Sequence, residues 1–374
     1  MNHPYRWKSS GCRILQTLLF FSLVPGTVRA QDATVISRER YVRIAPVYQS
    51  YASDTLADAS QLGISMELYM PFGRQTAFLI KTGQARFETA GLPGLSGFGD
   101  TQLAMQYYLP DRNLLFQMTV NLPTGKQQLT IEEFRSSIAL GHSYYDFRMP
   151  NMGQGLNLIP GVSWAGPLNE NLMLGLGAAC QISGSFQPLM NRDAKYNPGN
   201  EFLITGGADY RFSDIASLSA DLIVSFYGTD EYDTARVYKS GTKIVASMQY
   251  QRYAGFNHLR ILARYRSRTK SLSVIEGKLV EEAEKTYPDY LIVSGQYTLR
   301  MNPQTSLAVL LENRHFFNIA ALKSLNLVGI GLTPMYQMGP RIALLGRLRY
   351  QTGAFRTGEK MSGIEVSAGI KYAF

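Results

Sequence analysis

The last stretch of the chain, Gly363-Ile-Glu-Val-Ser-Ala-Gly-Ile-Lys-Tyr-Ala-Phe374, constrains the fold more than any other. Side chains on an extended strand alternate between two faces. Ile364, Val366, Ala368, Ile370, Tyr372 and Phe374 therefore share one face, and Glu365, Ser367, Gly369, Lys371 and Ala373 share the other. One face is oily to its final residue and the other is polar or small. Such a strand suits a wall with lipid on one side and water on the other.

The same period recurs from residue 41 onward. In 61–70, Leu62, Ile64, Met66, Leu68 and Met70 oppose Gln61, Gly63, Ser65, Glu67 and Tyr69. In 114–122, Leu114, Phe116, Met118, Val120 and Leu122 oppose Leu115, Gln117, Thr119 and Asn121. Segments 100–109, 172–182, 202–212, 218–227, 243–251, 305–314 and 341–350 repeat the pattern. Short connections (71–74, 110–113, 166–171, 212–216, 254–257, 301–304 and 338–340) alternate with long polar ones (51–59, 88–98, 123–154, 183–200, 228–240, 268–286, 314–324 and 351–362). The expectation is an all-β, antiparallel, up-and-down transmembrane barrel of about 16 strands (14–18) over 41–374, with tight periplasmic turns and larger outer loops.

The N-terminus agrees. Arg6, Lys8 and Arg13 precede the apolar run Ile14–Val24, and Val28-Arg29-Ala30 supplies a small-residue cleavage site. This order predicts a cleaved signal peptide over 1–30, followed by a short periplasmic segment over 31–40. The apolar run is about half the roughly 20 residues a spanning helix needs, and nothing downstream is long enough. The signal carries four of the chain's basic residues and no acids, so 37 against 28 becomes 33 against 28, or +5, after cleavage. That mild, dispersed charge argues against nucleic acid. Cys180 is alone once Cys12 leaves, and it falls on the lipid side of its strand. Tyr at 23 and Phe at 18 suffice for aromatic girdles at both membrane surfaces.

Residues 135–147 could form a further strand, but that would break the alternation of short and long connections. They are therefore assigned to the outer loop 123–154. A loop that long has a job or is mobile, and a constriction folded into the lumen is one such job.

Three local motifs carry a resemblance. Gly97-Phe-Gly-Asp100, opening the strand that runs to Leu109, Leu122-Pro-Thr-Gly-Lys126, and the Gly-rich turns Met152-Gly-Gln-Gly155 and Leu174-Gly-Leu-Gly-Ala178 resemble an outer-membrane channel family. That family is named for the meta-pathway of phenol degradation. The resemblance covers about 95–230 and implies a barrel passing small hydrophobic or aromatic compounds. Terminal Phe374 is similar to the closing aromatic of bacterial outer-membrane barrels, which implies the barrel-assembly machinery and outer-membrane lipid as partners. On residues alone, Gly97 and Gly99 allow a sharp chain entry, with Asp100 either bonding nearby amides or lining the pore.

Inward charge is the best functional hint. Arg260, Arg264, Arg266 and Arg268 share one strand face, and Arg341, Arg347 and Arg349 share another. A charge facing lipid at the midplane costs about 2–4 kcal/mol, so these arginines must face the lumen. Arg43, Lys81, Arg211, Lys243, Arg300 and Lys371 join them, against the acids Glu67, Asp100, Asp209, Asp221, Glu312 and Glu365. The candidate pore lining is Arg260, Arg264, Arg266, Arg268, Arg341, Arg347, Arg349, Glu312, Glu365 and Asp100. Two readings stay open: a cationic ladder preferring anions, or arginines bracing the barrel by pairing with acids.

No catalytic residue, metal set or cofactor motif is expected. His142-Ser143, as strand neighbours, would point to opposite faces and could not act as base and nucleophile. With His258 and His315 the histidines are scattered, and Thr124-Gly125-Lys126 lacks the earlier glycine of a phosphate loop because position 120 is Val. The function expected is diffusion of small solutes, anion-preferring or for small aromatic or hydrophobic compounds. The alternatives are a non-conducting receptor or structural anchor, a plugged transporter with a side exit, and, last, an outer-membrane hydrolase. Association into a homo-oligomer is left open.

Overall fold

The computed structural model describes residues 36–318 and 323–374, so the expected signal segment 1–30 lies outside the described residues. Sixteen antiparallel strands close into a barrel. They are Tyr41–Ser53, Ala59–Phe72, Thr76–Thr89, a broken strand in two segments (Leu92–Phe98 and Thr101–Leu109), Leu114–Leu122, Asn157–Pro167, Leu172–Ser183 and Glu201–Ser213. Ala216–Tyr227, Lys243–Ala254, Asn257–Arg268, Tyr290–Arg300, Thr305–Phe316, Leu325–Gln337, Ile342–Phe355 and Lys360–Ala373 complete the wall. Both segments of the broken strand pair with Thr76–Thr89, and they share one place in the sheet. The first and last strands pair from Tyr41↔Ala373 to Ser53↔Met361, which removes every free edge of the wall.

Alternation decides which residue meets which medium. On the last strand Ile370 is 53% exposed and Glu365 only 4%, so the outer surface is oily and the lumen takes the charge. Outward aromatics gather near the short turns: Phe72 stacks edge-on with Phe78 at 5.2 Å, Tyr210 with Phe212 at 5.0 Å, and Tyr372 lies near Phe374 at 6.2 Å. Amphipathic rings favour that interface. Ile36, just before the first strand, is buried against Tyr69 and Ala77 and tucks the N-terminal segment against the wall.

Several outer connections differ from expectation. The segment 88–98 is not a loop: Thr76–Thr89 and Leu92–Phe98 form a hairpin joined by Ala90 and Gly91, the glycine at φ +75°. Its Gly and Pro content reads as loop, yet Phe87 and Leu95 pair across it and both are buried. Likewise 51–59 shrinks to 54–58, and 351–362 to 356–359. The stretches 183–200, 228–240 and 268–286 are not bare loops either. They supply a second, five-stranded sheet of Tyr196–Asn197, Asp230–Tyr232, Ala235–Lys239, Leu272–Ile275 and Lys278–Glu281.

Candidate functional site

The connection between Leu114–Leu122 and Asn157–Pro167 turns inward and forms a plug. Residues 135–147 make no ladder strand: Ile131–Leu140 is a helix and the chain beyond it is irregular, with turns at 143–144 and a bend at 148–149. Thr130 and Glu133 form a capping box, Glu133 N donating to Thr130 Oγ1 (3.2 Å) and Thr130 N to Glu133 Oε2 (3.1 Å). Two of the helix's orphan N-terminal groups are satisfied that way. Ser136, fully buried, donates to Pro93 O at 2.7 Å and fixes the helix against the tall hairpin.

One carboxylate holds both ends of the plug. Asp100, at the break in the broken strand, accepts from Gly125 N at 3.0 Å and from Gln154 N at 2.6 Å. A Cβ on Gly125 or on Gly153 would lie 2.7 or 2.8 Å from Asp100 Oδ1, so both positions require glycine. Thr124 Oγ1 adds a contact to Thr101 Oγ1 at 2.9 Å. The Gly-x-Gly-Asp, Pro-Thr-Gly-Lys and Gly-x-Gly motifs thus meet in one neck. Asp100 belongs to that neck and is not a pore-lining anion, because its oxygens are spent on plug amides.

Further in, the wall presents a rung of buried polar side chains. The register runs Gln61↔Gln49, Gln49↔Glu365 and Glu365↔Arg349 across four adjacent strands. All four side chains are buried, and the plug segment Tyr145-Asp146-Phe147-Arg148-Met149 lies on them. Gln49 Nε2 donates to Asp146 O (2.7 Å) while its Oε1 accepts from Arg148 N (2.8 Å). Gln61 Nε2 donates to Met149 O (3.0 Å), and its Oε1 accepts from Arg148 N (3.1 Å) and Met149 N (3.2 Å). Asp146 N donates to Tyr51 OH at 3.0 Å. Two side-chain amides thereby satisfy buried backbone as a neighbouring strand would.

The plug's alternate residues then pair by charge or pack by shape. Arg148 reaches Glu365 with both Nε (3.1 Å) and Nη2 (2.9 and 3.0 Å). Asp146 Oδ2 accepts from Arg314 at 2.7 Å and from Arg349 at 3.0 Å. Glu312 accepts from Arg314 at 2.5 Å and from Arg349 at 2.6 Å, and Arg347 lies 3.1 Å from Glu365. Burial alone would raise the Asp146 pKa, but the guanidiniums of Arg314, Arg148 and Arg349 outweigh it and hold the carboxyl well below the usual carboxylate range. Burial likewise disfavours charged Arg148, yet Glu365 and Asp146 leave it more firmly protonated than usual. Tyr144, Tyr145 and Phe147 pack on Tyr51, Phe87, Phe316 and Phe355, with Phe147 edge-on to Tyr51 at 5.2 Å and to Phe87 at 5.6 Å.

The facing wall is different. Arg260 donates to Gln296 Oε1 at 2.9 Å, Arg266 lies 5.5 Å over the Tyr290 ring, and Arg268 sits between Tyr227 at 5.3 Å and Tyr287 at 4.7 Å. Among the described residues none of these three forms an ion pair. Arg264 shares their face. Between this wall and the plug lies a cavity of about 390 Å³ that touches Leu140, His142, Asp146, Arg266, Tyr287 and Phe316.

The predicted lining therefore divides. Arg260, Arg264, Arg266 and Arg268 face the lumen opposite the plug; Arg347, Arg349, Glu312 and Glu365 also point inward but are bound up with it. Arg341 is on neither face. The wall strand starts only at Ile342, after the turn at Pro340, and Arg341 is exposed at the short-turn rim with its carbonyl accepting from Ala373 N (2.7 Å). His142 and Ser143 follow the helix rather than occupying a strand, and no hydrogen bond joins them among the described residues. Partial desolvation lowers the His142 pKa, although the residue is exposed. The partners that sequence reading missed are Gln49, Gln61, Asp146, Arg148 and Arg314. Their one signal was spacing: Asp146 and Arg148, like Glu312 and Arg314, stand two apart with opposite sign.

No protein-family model and no curated protein matches the chain. Solved structures of similar shape include a bacterial polysaccharide outer membrane secretin, at 8% identity and TM-score 0.47, covering 91% of this chain and 99% of that one. The CymD monoaromatic hydrocarbon channel stands at 10% identity and TM-score 0.45, covering 91% and 90%. An outer membrane channel from Pseudomonas putida F1 stands at 9% and 0.43, covering 93% and 100%. At such identities and TM-scores, what the lumen does is read from this chain's own residues.

Proposed function

We propose that the protein is an outer-membrane channel through which small solutes diffuse, with the plug 126–153 as its constriction. The observation that carries this is the contrast between the wall's two surfaces. An oily exterior closes around a lumen lined by charge, and a built-in segment narrows that lumen without being part of the wall. A barrel of about 16 strands encloses space beyond what wall side chains fill. Assembly through the strand ending at Phe374, export by the segment 1–30 and residence in the outer membrane belong to the same reading. No catalytic step is assigned to it.

Single-channel recording of the refolded chain in a planar bilayer under a salt gradient tests the proposal. Wild type should give small, stable steps, and a variant with 128–150 replaced by a short Gly/Ser linker should give larger ones. Silence from both proteins, each shown to be folded by heat and protease resistance, would overturn the channel reading and favour a receptor or anchor.

A further inference from the structure

Arg347, Arg349 and Arg314 on the plugged wall each have an acid, but the cavity between plug and facing wall holds a cation that has none among the described residues. Arg266 lines it, and the only partner of its guanidinium among the described residues is the Tyr290 ring. Arg314, on the same lining, is neutralised by Asp146 and Glu312. Among the described residues, Arg266 is therefore the lining's positive charge without an acid beside it. Around that charge the lining is mixed, with aromatic rings beside polar groups such as Ser143 and Asn151: Tyr290 packs on Phe316 at 5.6 Å, and Tyr287 and Phe147 add further rings. The volume of about 390 Å³ falls within the range of small-molecule sites, and a cavity of less than half that size holds a benzene ring.

Chemistry of three kinds is required of an occupant. It must be negative, because a guanidinium drawn out of bulk water keeps its hydration cost unless an anion offsets it. It must carry a planar apolar body, because Tyr290, Phe316, Phe147 and Tyr287 offer rings on the lining beside the charge. And it must be small. A hydrocarbon would leave Arg266 unpartnered, a bare inorganic anion would leave the rings unused, and a cation would be repelled.

We propose that this cavity is a binding site for a small arene carboxylate, the carboxylate meeting Arg266 and the ring lying among Tyr290, Phe316 and Phe147. The inference rests on the channel reading only in that such a solute would then be one the protein passes; the site itself can be tested without conduction. Saturation-transfer NMR on the detergent-folded protein, with benzoate, toluene and acetate as probes, reads binding directly. Benzoate should bind, with toluene and acetate at least about tenfold weaker, since a charge-assisted contact or a ring contact is lost in each. Toluene binding as well as benzoate would overturn the proposal on the unmutated chain. Arg266→Gln should weaken benzoate about tenfold and leave toluene unmoved. Arg252→Gln, on the outer face of its strand, should change neither. Equal benzoate affinity in wild type and Arg266→Gln would also overturn it. Benzoate binding by a protein that never conducts would retain this site and sink the channel reading; conduction without benzoate binding would do the reverse.

Discussion

On Ile342–Phe355, Arg347 lies 3.1 Å from Glu365, while Arg349 meets Asp146 at 3.0 Å and Glu312 at 2.6 Å. On Asn257–Arg268, the same inward spacing puts Arg260 on an amide and Arg266 and Arg268 on aromatic faces. The two strands are written alike and behave oppositely. What separates them is the plug, which brings Asp146 to one wall and turns its cations into fasteners, leaving those of the other wall on an amide and on rings. Whether an inward arginine is braced by acids is therefore decided by a segment distant in sequence.

The contrast can be broken most strongly at the fastener. Arg148→Ala strips Glu365 of the three hydrogen bonds it accepts from Arg148, leaving it the ion pairs with Arg347 and Arg349, and unseats the plug, at about 3–5 kcal/mol of docking free energy for a buried pair missing one partner. Larger and noisier conductance steps, with protease cleavage inside 126–153, are the expected readout. Asp100→Ala comes next. It orphans Gly125 N and Gln154 N at about 1–3 kcal/mol, so hydrogen exchange should quicken at the neck while the wall stays protected. Gln61→Leu removes the amide clamp on Arg148 and Met149 for a similar or smaller cost, about 1–2 kcal/mol, and should lengthen open events without altering selectivity.

Arg260→Gln tests the other wall. Reversal potential should move toward cations, whereas Arg347→Gln, on the plugged wall, should move it less; equal shifts would erase the distinction between the walls. The smallest effect is on pH. The Asp146 carboxyl titrates well below its free value, so its contribution to docking is complete above about pH 4 and fades as pH falls toward the lowered value. Conductance should therefore be flat between pH 7 and 5 and rise only in stronger acid; opening near pH 6 would point to another group.

Sequence reading reached the barrel because each wall strand meets only two media, and period two records which. It reached the plug's place in the chain but not its form. Tyr145, Phe147 and Met149 alternate with Asp146 and Arg148 as strand residues do, yet the segment is irregular and bends at 148–149. Its partners, however, are side chains of the lumen wall, not a neighbouring backbone. Alternation reports unlike surroundings and is silent on what supplies them. The hairpin at Ala90 and Gly91 was missed for a related reason: its height above the membrane is sustained by the plug helix through Pro93 and Ser136, a contact over a separation no local pattern encodes.

The polar rung crosses the seam of the barrel. Gln61 and Gln49 come from the first two strands, Glu365 and Arg349 from the last two, and they become neighbours only when Tyr41–Ser53 and Lys360–Ala373 zip together. Until then the plug has half a berth at each terminus of the chain and a whole one nowhere. Contacts so distant in sequence form late. The order of assembly follows: a half-built cylinder carries an unseated plug, and the seated plug is the mark of a finished one. Docking thus works as a latch on completion, joining the beginning of the chain to its end from the inside.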